Sequence, residues 1–198
     1  MRKRDRPCSI NEPCIGLVEL TSIAHGFEAA DQILKAALCH VLMARAVTPG
    51  KFLVLFEGSV ADVTSALTMV RERFAATLLD DLLLPGVDRA VVHGLEGRAR
   101  DVAALDALGV VATTTVAAAI TAADAAVKKA RVELIELQLA IGIGGKGYFV
   151  LAGNVADVEA ALLAANEVAA ERDRQVATVL IPRAHPEMSR LLGGAESS

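Results

Sequence analysis

The chain of 198 residues carries a net charge of −4, is 54% hydrophobic and has only 3% aromatic residues. The negative charge and the scarcity of aromatic rings exclude a nucleic-acid-binding protein, which needs a basic surface or stacking platforms. Because a small domain buries limited surface, this much apolar material predicts a soluble protein with an apolar face against a partner subunit. The longest uncharged run, 107–123, is alanine-rich and too short for a membrane span, which needs about 20 apolar residues.

The first half of the chain alternates strand and helix signals. Apolar residues in 24–36 recur at helical spacing, whereas Thr48-Pro49-Gly50 is a turn signal between two apolar runs. Ser59 is a good helix cap, because its hydroxyl can accept a hydrogen bond from a backbone N–H in the first turn. In chain order the sequence predicts a strand over 15–20, a helix over 24–36, strands over 38–47 and 51–56, a helix after Ser59, and a strand over 77–84.

The second half of the chain repeats the first. The stretch 50–66 recurs as 145–161, with glycine, lysine, valine, alanine and aspartate at matching places, and Asn154 takes the cap position. Two additional residues precede the loop of the second copy, so the halves should differ in shape there. A last strand is predicted over 176–181. The division is a flexible tail over 1–14, a first repeat over 15–86, a partly helical linker over 87–107 without a counterpart, a second repeat over 108–187 and a frayed tail over 188–198.

Each half therefore has the order β-α-β-β-α-β. This order predicts a four-stranded antiparallel sheet with its helices on one face, a ferredoxin-like α/β sandwich of the α+β type. A chain with two such units in tandem is pseudo-two-fold. Three of these chains around an axis would place six similar units in a ring.

A glycine-rich stretch, Gly142–Gly147, formally fits the dinucleotide pattern G-x-G-x-x-G. That pattern binds pyrophosphate only where it follows a strand and opens a helix, and here the next residues, 148–151, read as a strand. A phosphate-binding Walker loop is excluded, because glycine follows the Gly-Lys pair where serine or threonine is needed. The stretch is therefore interpreted as a hairpin loop.

The sequence offers no metal centre and no catalytic group. Cys39 and His40 are adjacent, so on a strand their side chains point to opposite faces and cannot share a metal ion. Cys8 and Cys14 lack a second pair at ligand spacing. No serine or cysteine has the surroundings of a nucleophile, so we predict that the protein is not an enzyme. The sparse cysteines, and a basic N-terminus without a following apolar segment, favour a reduced cytosolic setting and no signal peptide.

Lys35 and Lys128 occupy the same place in the two halves, each four residues after an aspartate. One interpretation is a solvated helix face with an ion pair between residues i and i+4. The other is a subunit edge, where each lysine reaches backbone carbonyl groups of a neighbour. The sequence leaves both interpretations open.

Five stretches share a likeness to one known family: IGLVELTSI at 15–23, AAD at 29–31 with Lys35, GIGGK at 142–146, GNVADV at 153–158 and IPRAHP at 181–186. They resemble the tandem-domain shell proteins of bacterial microcompartments, and within that family the propanediol-utilisation type. The resemblance covers about residues 15–187. It implies two BMC-type repeats in the ordinary, unpermuted order.

The resemblance also implies a homotrimer, which forms a pseudohexameric tile in a shell that encloses metabolic enzymes in the bacterial cytoplasm. Its implied partners are hexameric and pentameric shell proteins and the encapsulated enzymes. The loops between the second and third strands of each half would line a central pore for small polar metabolites. By position the pore residues are Thr48, Pro49, Gly50, Ile143, Gly144 and Gly145, and the edge residues are Lys35, Lys128, Arg183 and His185.

One departure from the family concerns a cofactor. In the propanediol-type protein a cysteine precedes the Pro-Gly-Lys of the first half, and three such cysteines hold an iron–sulfur cluster on the axis. Here that position is Thr48, whose hydroxyl cannot replace a soft thiolate ligand. Cys39 lies a strand's length away. We therefore expect no cluster, and instead an open pore ringed by Thr48 hydroxyls and backbone N–H groups.

A competing function of another class is a regulatory module. Ferredoxin-like trimers can also bind a small effector between subunits, and a fold does not fix a function. Such a module would be stabilised by its ligand and would remain as separate trimers. A shell tile would instead associate edge to edge with other tiles.

Overall fold

The computed structural model describes residues 13–97, 106–140, 145–171, 176–188 and 192. Both halves show the expected order of strands and helices, and one additional helix lies between them. The elements are β1 (Cys14–Leu20), α1 (Ile23–Ala36), β2 (His40–Val47), β3 (Lys51–Gly58), α2 (Val60–Arg73), β4 (Leu78–Leu84), α3 (Arg89–Leu95), β5 (Ala107–Thr113), α4 (Val116–Lys129), β6 (Glu133–Leu139), β7 (Gly147–Gly153), α5 (Val155–Glu171) and β8 (Val176–Pro182).

The strands form two antiparallel sheets with the same topology. The first sheet has the order β2-β3-β1-β4 and the second β6-β7-β5-β8. Each edge strand β2 and β6 carries a register shift at the same place, after Val41 in one and after Leu134 in the other. Two helices pack on one face of each sheet, so the predicted fold class of two ferredoxin-like α+β repeats is confirmed.

Capping side chains start the helices where the sequence places them. The Ser59 hydroxyl accepts a hydrogen bond from the Asp62 N–H at 3.1 Å, and the Asn154 amide oxygen accepts one from the Asp157 N–H at 2.9 Å. Each of these bonds satisfies a donor that the first turn of a helix leaves without an intrahelical partner. The predicted caps at Ser59 and Asn154 are confirmed.

Each sheet also has a back face, the face opposite its own two helices. A continuous cluster of buried apolar side chains joins the back face of the first sheet to α3, to α4 and to the helix-covered face of the second sheet. The two halves therefore share a core. The back-face residues are Ile15, Leu17, Leu53, Leu55 and Leu82 in the first sheet, and Leu108, Val110, Tyr148, Val150 and Val179 in the second.

Three sequence expectations need correction. Cys14, which was assigned to the flexible tail, is the first residue of β1 and is fully buried, because it continues the apolar alternation of that strand. The linker 87–107 does have a counterpart. Its Val87, Val91 and Leu95 pack into the shared core, and Ala184, Met188 and Leu192 recur at the same spacing and pack on the second sheet. The proposed tail 188–198 therefore begins inside the fold, while 1–12, 189–191 and 193–198 lie outside the described residues.

The first helix of each half packs against the strand after the loop through a different pair of residues. In the first half Gly26 of α1 lies against Phe52, and a β-carbon at Gly26 would stand 2.2 Å from the Phe52 ring. In the second half the equivalent residues are Ala119 and Gly147, and a β-carbon at Gly147 would stand 2.4 Å from that of Ala119. A small residue on one element thus matches a larger one on the other.

We expect Gly26→Ala to lower the free energy of unfolding by about 2 kcal/mol, because the added methyl group must displace a fully buried ring. Phe52→Gly alone should lower it by more than about 3 kcal/mol through the cavity it leaves. The double variant recreates the pairing of the second half. Urea denaturation should give a coupling energy of at least about 1 kcal/mol, and additivity of the two single effects would contradict this packing.

Candidate functional site

The first predicted pore loop is a tight turn between β2 and β3. Gly50 donates its N–H to the Val47 carbonyl oxygen at 2.9 Å and has φ +94°, a conformation that favours glycine. The Thr48–Pro49 peptide bond is cis. All three loop residues, Thr48, Pro49 and Gly50, are exposed. The loop therefore presents a hydroxyl group and backbone polar groups to its surroundings.

The second predicted pore loop, between β6 and β7, is longer. Ala140 donates its N–H to the Lys146 carbonyl oxygen at 2.8 Å and so closes the base of the loop, where Gly145 has φ +78°. Ile143 and Gly144, the other two predicted pore residues of this half, lie outside the described residues. The remaining glycine-rich stretch leads into strand β7, as expected of a hairpin loop and not of a nucleotide site.

The two loops lie side by side within one chain. A β-carbon built at Gly145 would stand 3.6 Å from the Thr48 carbonyl oxygen and 3.6 Å from the Lys51 ammonium nitrogen. The fold thus brings together two segments that are far apart in sequence. Both loops lie at the same end of the shared core.

A partly buried ion pair lies directly behind the first loop. Lys51 donates to the Glu19 carboxylate at 2.7 Å, and the Glu19 side chain is only 3% exposed. Both residues lie on the back face of the first sheet, where the second half covers them. Sequence reasoning missed this pair, because Glu19 lies inside an otherwise apolar strand and its partner is on another strand.

We expect Glu19→Ala to lower the free energy of unfolding by about 1–3 kcal/mol, because it leaves the partly exposed Lys51 ammonium group without its hydrogen-bonded partner. Adding Lys51→Met should recover most of the loss, because an apolar side chain needs no counter-charge there. Chemical denaturation of the three variants measures this difference. Equal losses in the single and the double variant would contradict it.

Lys128 joins the second half to the segment that leaves β4. Its ammonium group donates to the Gly86 carbonyl oxygen and to the Asp124 carboxylate, both at 2.6 Å. Asp124 is buried and also accepts a hydrogen bond from the Asp88 N–H at 2.8 Å. The lysine and the aspartate thus bind one backbone carbonyl oxygen and one backbone N–H of the segment 86–88.

Lys35 and Asp31, the equivalent residues of α1, form an ion pair with each other on an exposed surface. Arg183 takes the place of Gly86 after β8, and like Gly86 it has a positive φ, +51° against +64°. His185 accepts a hydrogen bond from a backbone N–H through its Nδ1 atom. In one chain the predicted edge residues Lys35, Arg183 and His185 are thus not brought together, whereas Lys128 reaches a backbone carbonyl group.

Comparison with known proteins assigns this architecture. The sequence profile of the BMC domain matches residues 14–87 and again residues 107–184. The chain belongs to the BMC-domain family of bacterial microcompartment shell proteins. It has two BMC domains in tandem. It is 42% identical over 176 residues to the shell protein PduT of Citrobacter freundii, and the alignment covers 89% of this chain and 95% of that one.

Solved structures agree with this assignment. A microcompartment protein from Desulfitobacterium hafniense superposes with a TM-score of 0.84 at 41% identity, over 90% of this chain and 99% of that one. A fused, permuted hexameric shell protein of the RMM microcompartment gives a TM-score of 0.62 at 20% identity, over 81% and 85% of the two chains, and shares the fold.

The two BMC domains differ most in what surrounds their first helix. In α1 the apolar residues Ile23, Phe27 and Leu34 are exposed, Phe27 by 65%. In α4 the residue equivalent to Phe27 is Ile120, which is fully buried between the two domains. The same apolar stripe is therefore covered in one domain and open in the other.

The back faces of the two sheets show the converse difference. Leu82 in the first sheet is 1% exposed, whereas Val179, its equivalent in the second sheet, is 53% exposed. Nearby on the second back face, the Tyr148 hydroxyl donates to the Glu136 carboxylate at 2.5 Å. Burial, assisted by this carboxylate, raises the pKa of Tyr148 to about 12. The second back face is thus a partly apolar surface with a fixed polar pair.

The donor groups of this shell protein do not suit a metal cluster at the loops. Thr48 supplies only a hydroxyl and a carbonyl oxygen, which are poor ligands for a soft iron–sulfur centre. Cys14 and Cys39 lie beside Gly58, at the opposite end of β3 from the loop. Among the described residues there is no group of three or more metal-ligating side chains, and no helix long and apolar enough to cross a membrane.

Proposed function

We propose that three copies of this shell protein form a pseudohexameric tile of a microcompartment shell in the bacterial cytoplasm, with a central pore lined by the paired loops. One observation carries the proposal. The apolar stripe of α1 and the apolar back face of the second sheet are both open. Their equivalents, α4 and the back face of the first sheet, are buried in one core between the two domains.

We infer that two copies of the chain contact each other in the same way as the two domains contact each other within one chain. Within the chain, α4 of the second domain is buried next to the back face of the first sheet. Repeating this arrangement brings α1 of one copy onto the back face of another copy's second sheet. Phe27 would then be buried as Ile120 is, and Val179 would be covered as Leu82 is.

Such a head-to-tail contact uses two different surfaces, so it forms either a closed ring or an open filament. Closure after three chains places six BMC domains around one axis, in keeping with the pseudohexamer that the sequence resemblance implies. The polar contacts repeat as well. Lys35 would donate to the Arg183 carbonyl oxygen of the next copy, as Lys128 donates to the Gly86 carbonyl oxygen within the chain. Asp31 would accept from the His185 N–H of that copy, as Asp124 accepts from the Asp88 N–H.

In this ring the loops of all six domains meet near the axis, because the two loops already lie side by side in each chain. Thr48, Pro49 and Gly50 alternate there with the loop that contains Gly145. We propose an open pore for small polar metabolites without an iron–sulfur cluster. Three Thr48 hydroxyls and the loop backbone groups provide hydrogen bonds for the permeating molecule.

The outer edges of the tile would contact hexameric shell proteins within the same layer, with pentameric shell proteins as further partners and enzymes enclosed inside. Coexpression with a hexameric BMC shell protein tests this role. We expect extended mixed layers in negative-stain images and a trimer when the protein is purified alone. Separate trimers that are excluded from the layers and stabilised by a small ligand would instead favour a regulatory module.

A further inference from the structure

We propose that the interface between copies holds a binding site for a small carboxylate anion at Lys146, with three such sites in each trimer. The proposal rests on the head-to-tail trimer proposed above and deepens it by naming a chemical class of ligand beside the pore loops. Lys146 supplies the positive charge. Ala112 and Ala177 leave the room for the anion.

The interface inside the chain shows what this position normally contains. Lys51 is paired at 2.7 Å with Glu19, which is almost completely buried. Glu19 lies opposite Asp80 in the pairing of β1 with β4, so a second carboxylate lies on the same face of the sheet. Gly145 of the second domain lies beside Lys51, and a β-carbon built there would stand 3.6 Å from the ammonium nitrogen. The chain thus gives this ammonium group a carboxylate partner in Glu19, and Asp80 adds a second negative charge on the neighbouring strand.

The second sheet keeps the lysine but lacks both acids. Lys146 is equivalent to Lys51, and Ala112 stands at the position of Glu19. Ala177 lies opposite Ala112 in the pairing of β5 with β8, as Asp80 lies opposite Glu19. The formal charge of the three positions therefore changes from −1 in the first sheet to +1 in the second.

Lys146 keeps no substitute partner within the part of the chain that the structure describes. It is exposed and forms no ion pair there. Of the acidic side chains on the same back face, Glu136 is already the acceptor for the Tyr148 hydroxyl, and Glu133 lies at the opposite end of β6 from the loop. In the trimer the next copy would cover Lys146 with the loop that contains Gly50, as Gly145 covers Lys51.

Covering an ammonium group without a counter-charge is unfavourable, so the interface favours an anion that enters with the lysine. Compared with glutamate, alanine lacks one methylene group and the carboxylate, which are the heavy atoms of a carboxymethyl group. A small monocarboxylate such as acetate supplies these atoms at Ala112. Its carboxylate would accept the hydrogen bond that Glu19 accepts from Lys51 in the first domain.

The test compares sodium acetate with sodium chloride at equal ionic strength, using the thermal midpoint of the purified protein and its sedimentation. We expect acetate to raise the midpoint of the trimer by about 2–4 °C above the chloride value. Lys146→Gln should abolish the difference, and Lys129→Gln, at an exposed lysine of α4, should retain it. Ala112→Glu should raise the midpoint in chloride and remove the response to acetate, because it restores the internal carboxylate.

The possible outcomes distinguish failure of the anion site from failure of the proposed trimer. A protein that sediments as a monomer overturns the proposed trimer, and the site with it. A trimer that responds equally to acetate and chloride, or whose response survives Lys146→Gln, overturns the anion site and leaves the trimer standing. An Ala112→Glu trimer that still responds to acetate also overturns the site.

Discussion

Phe27→Asp is expected to convert the proposed trimer into folded monomers. Phe27 is 65% exposed in the single chain and touches the core through a ring contact with Phe52 at 4.8 Å between centroids, so the substitution should weaken the fold of a monomer without preventing it. In the proposed ring the same position would be buried, as Ile120 is within the chain. Loss of the buried ring removes about 1.5–3 kcal/mol per interface, and an unpaired carboxylate there adds a further penalty. The dissociation constant should rise by about a thousandfold or more, which sedimentation velocity would measure.

Two other substitutions serve as controls for this result. Leu163→Asp also places a charge on an exposed apolar residue, but on α5, whose equivalent position Thr68 stays exposed in the first domain. It should leave the trimer unchanged. Ile120→Asp should prevent stable folding, because Ile120 lies in the shared core. A Phe27→Asp protein that remains trimeric at micromolar concentration would show that α1 does not form the contact between copies.

Asp31 and Asp124 occupy equivalent positions, but their alanine variants should have different effects. Asp124→Ala should weaken the fold of the monomer, and Asp31→Ala should weaken the association of the proposed trimer. Asp124 is buried and accepts hydrogen bonds from Lys128 and from the Asp88 N–H. Its removal leaves a buried donor unpaired and should lower the free energy of unfolding by about 2–3 kcal/mol. Asp31 is exposed in the single chain. Its removal should leave the unfolding of the monomer unchanged and weaken the trimer by about 10–100-fold.

Denaturation at a concentration where the protein is monomeric, together with sedimentation at higher concentration, separates these two effects. Glu28→Ala provides a matched control, because Glu28 is another half-exposed acidic residue of α1 that lies near Arg73 of its own domain. It should change neither measurement by much. If Asp31→Ala destabilised the monomer as strongly as Asp124→Ala, the proposed role of Asp31 between copies would be wrong.

The repeated unit could be predicted because its signals are local. The turn at Pro49-Gly50 and the caps at Ser59 and Asn154 each depend on a few neighbouring residues, and the structure places them as expected. The topology of each sheet followed from the order of these signals. The family likeness depended on the same short motifs, which the BMC-domain match confirms.

Contacts between distant segments could not be read in the same way. The ion pair of Glu19 with Lys51 joins two adjacent strands that are far apart in sequence. In the sequence Glu19 is only a single charged residue within an apolar run. The four-residue spacing of Val91 and Leu95 was too short a signal to identify the linker helix as a repeated element. Sequence alone left two interpretations of Lys128 open. The structure shows the ion pair at i−4 together with a bond to the Gly86 carbonyl oxygen, which belongs to the other domain of the same chain and not to another subunit.

The difference between α1 and α4 had the weakest sequence signal. Both helices carry an apolar stripe at the same positions, and the alanine-rich composition of α4 permits burial on all sides without requiring it. Which stripe is covered inside the chain depends on how the second domain packs against the first, through residues far apart in sequence. That packing leaves α1 open on one domain and the back face of the second sheet open on the other.

Single-particle electron microscopy of the purified protein tests the tile most directly. We predict three-fold discs with six lobes of similar size and a central hole, since each chain contributes two BMC domains whose loops lie together. Averaged images of monomers, of open filaments, or of compact trimers without a hole would contradict the tile and its pore.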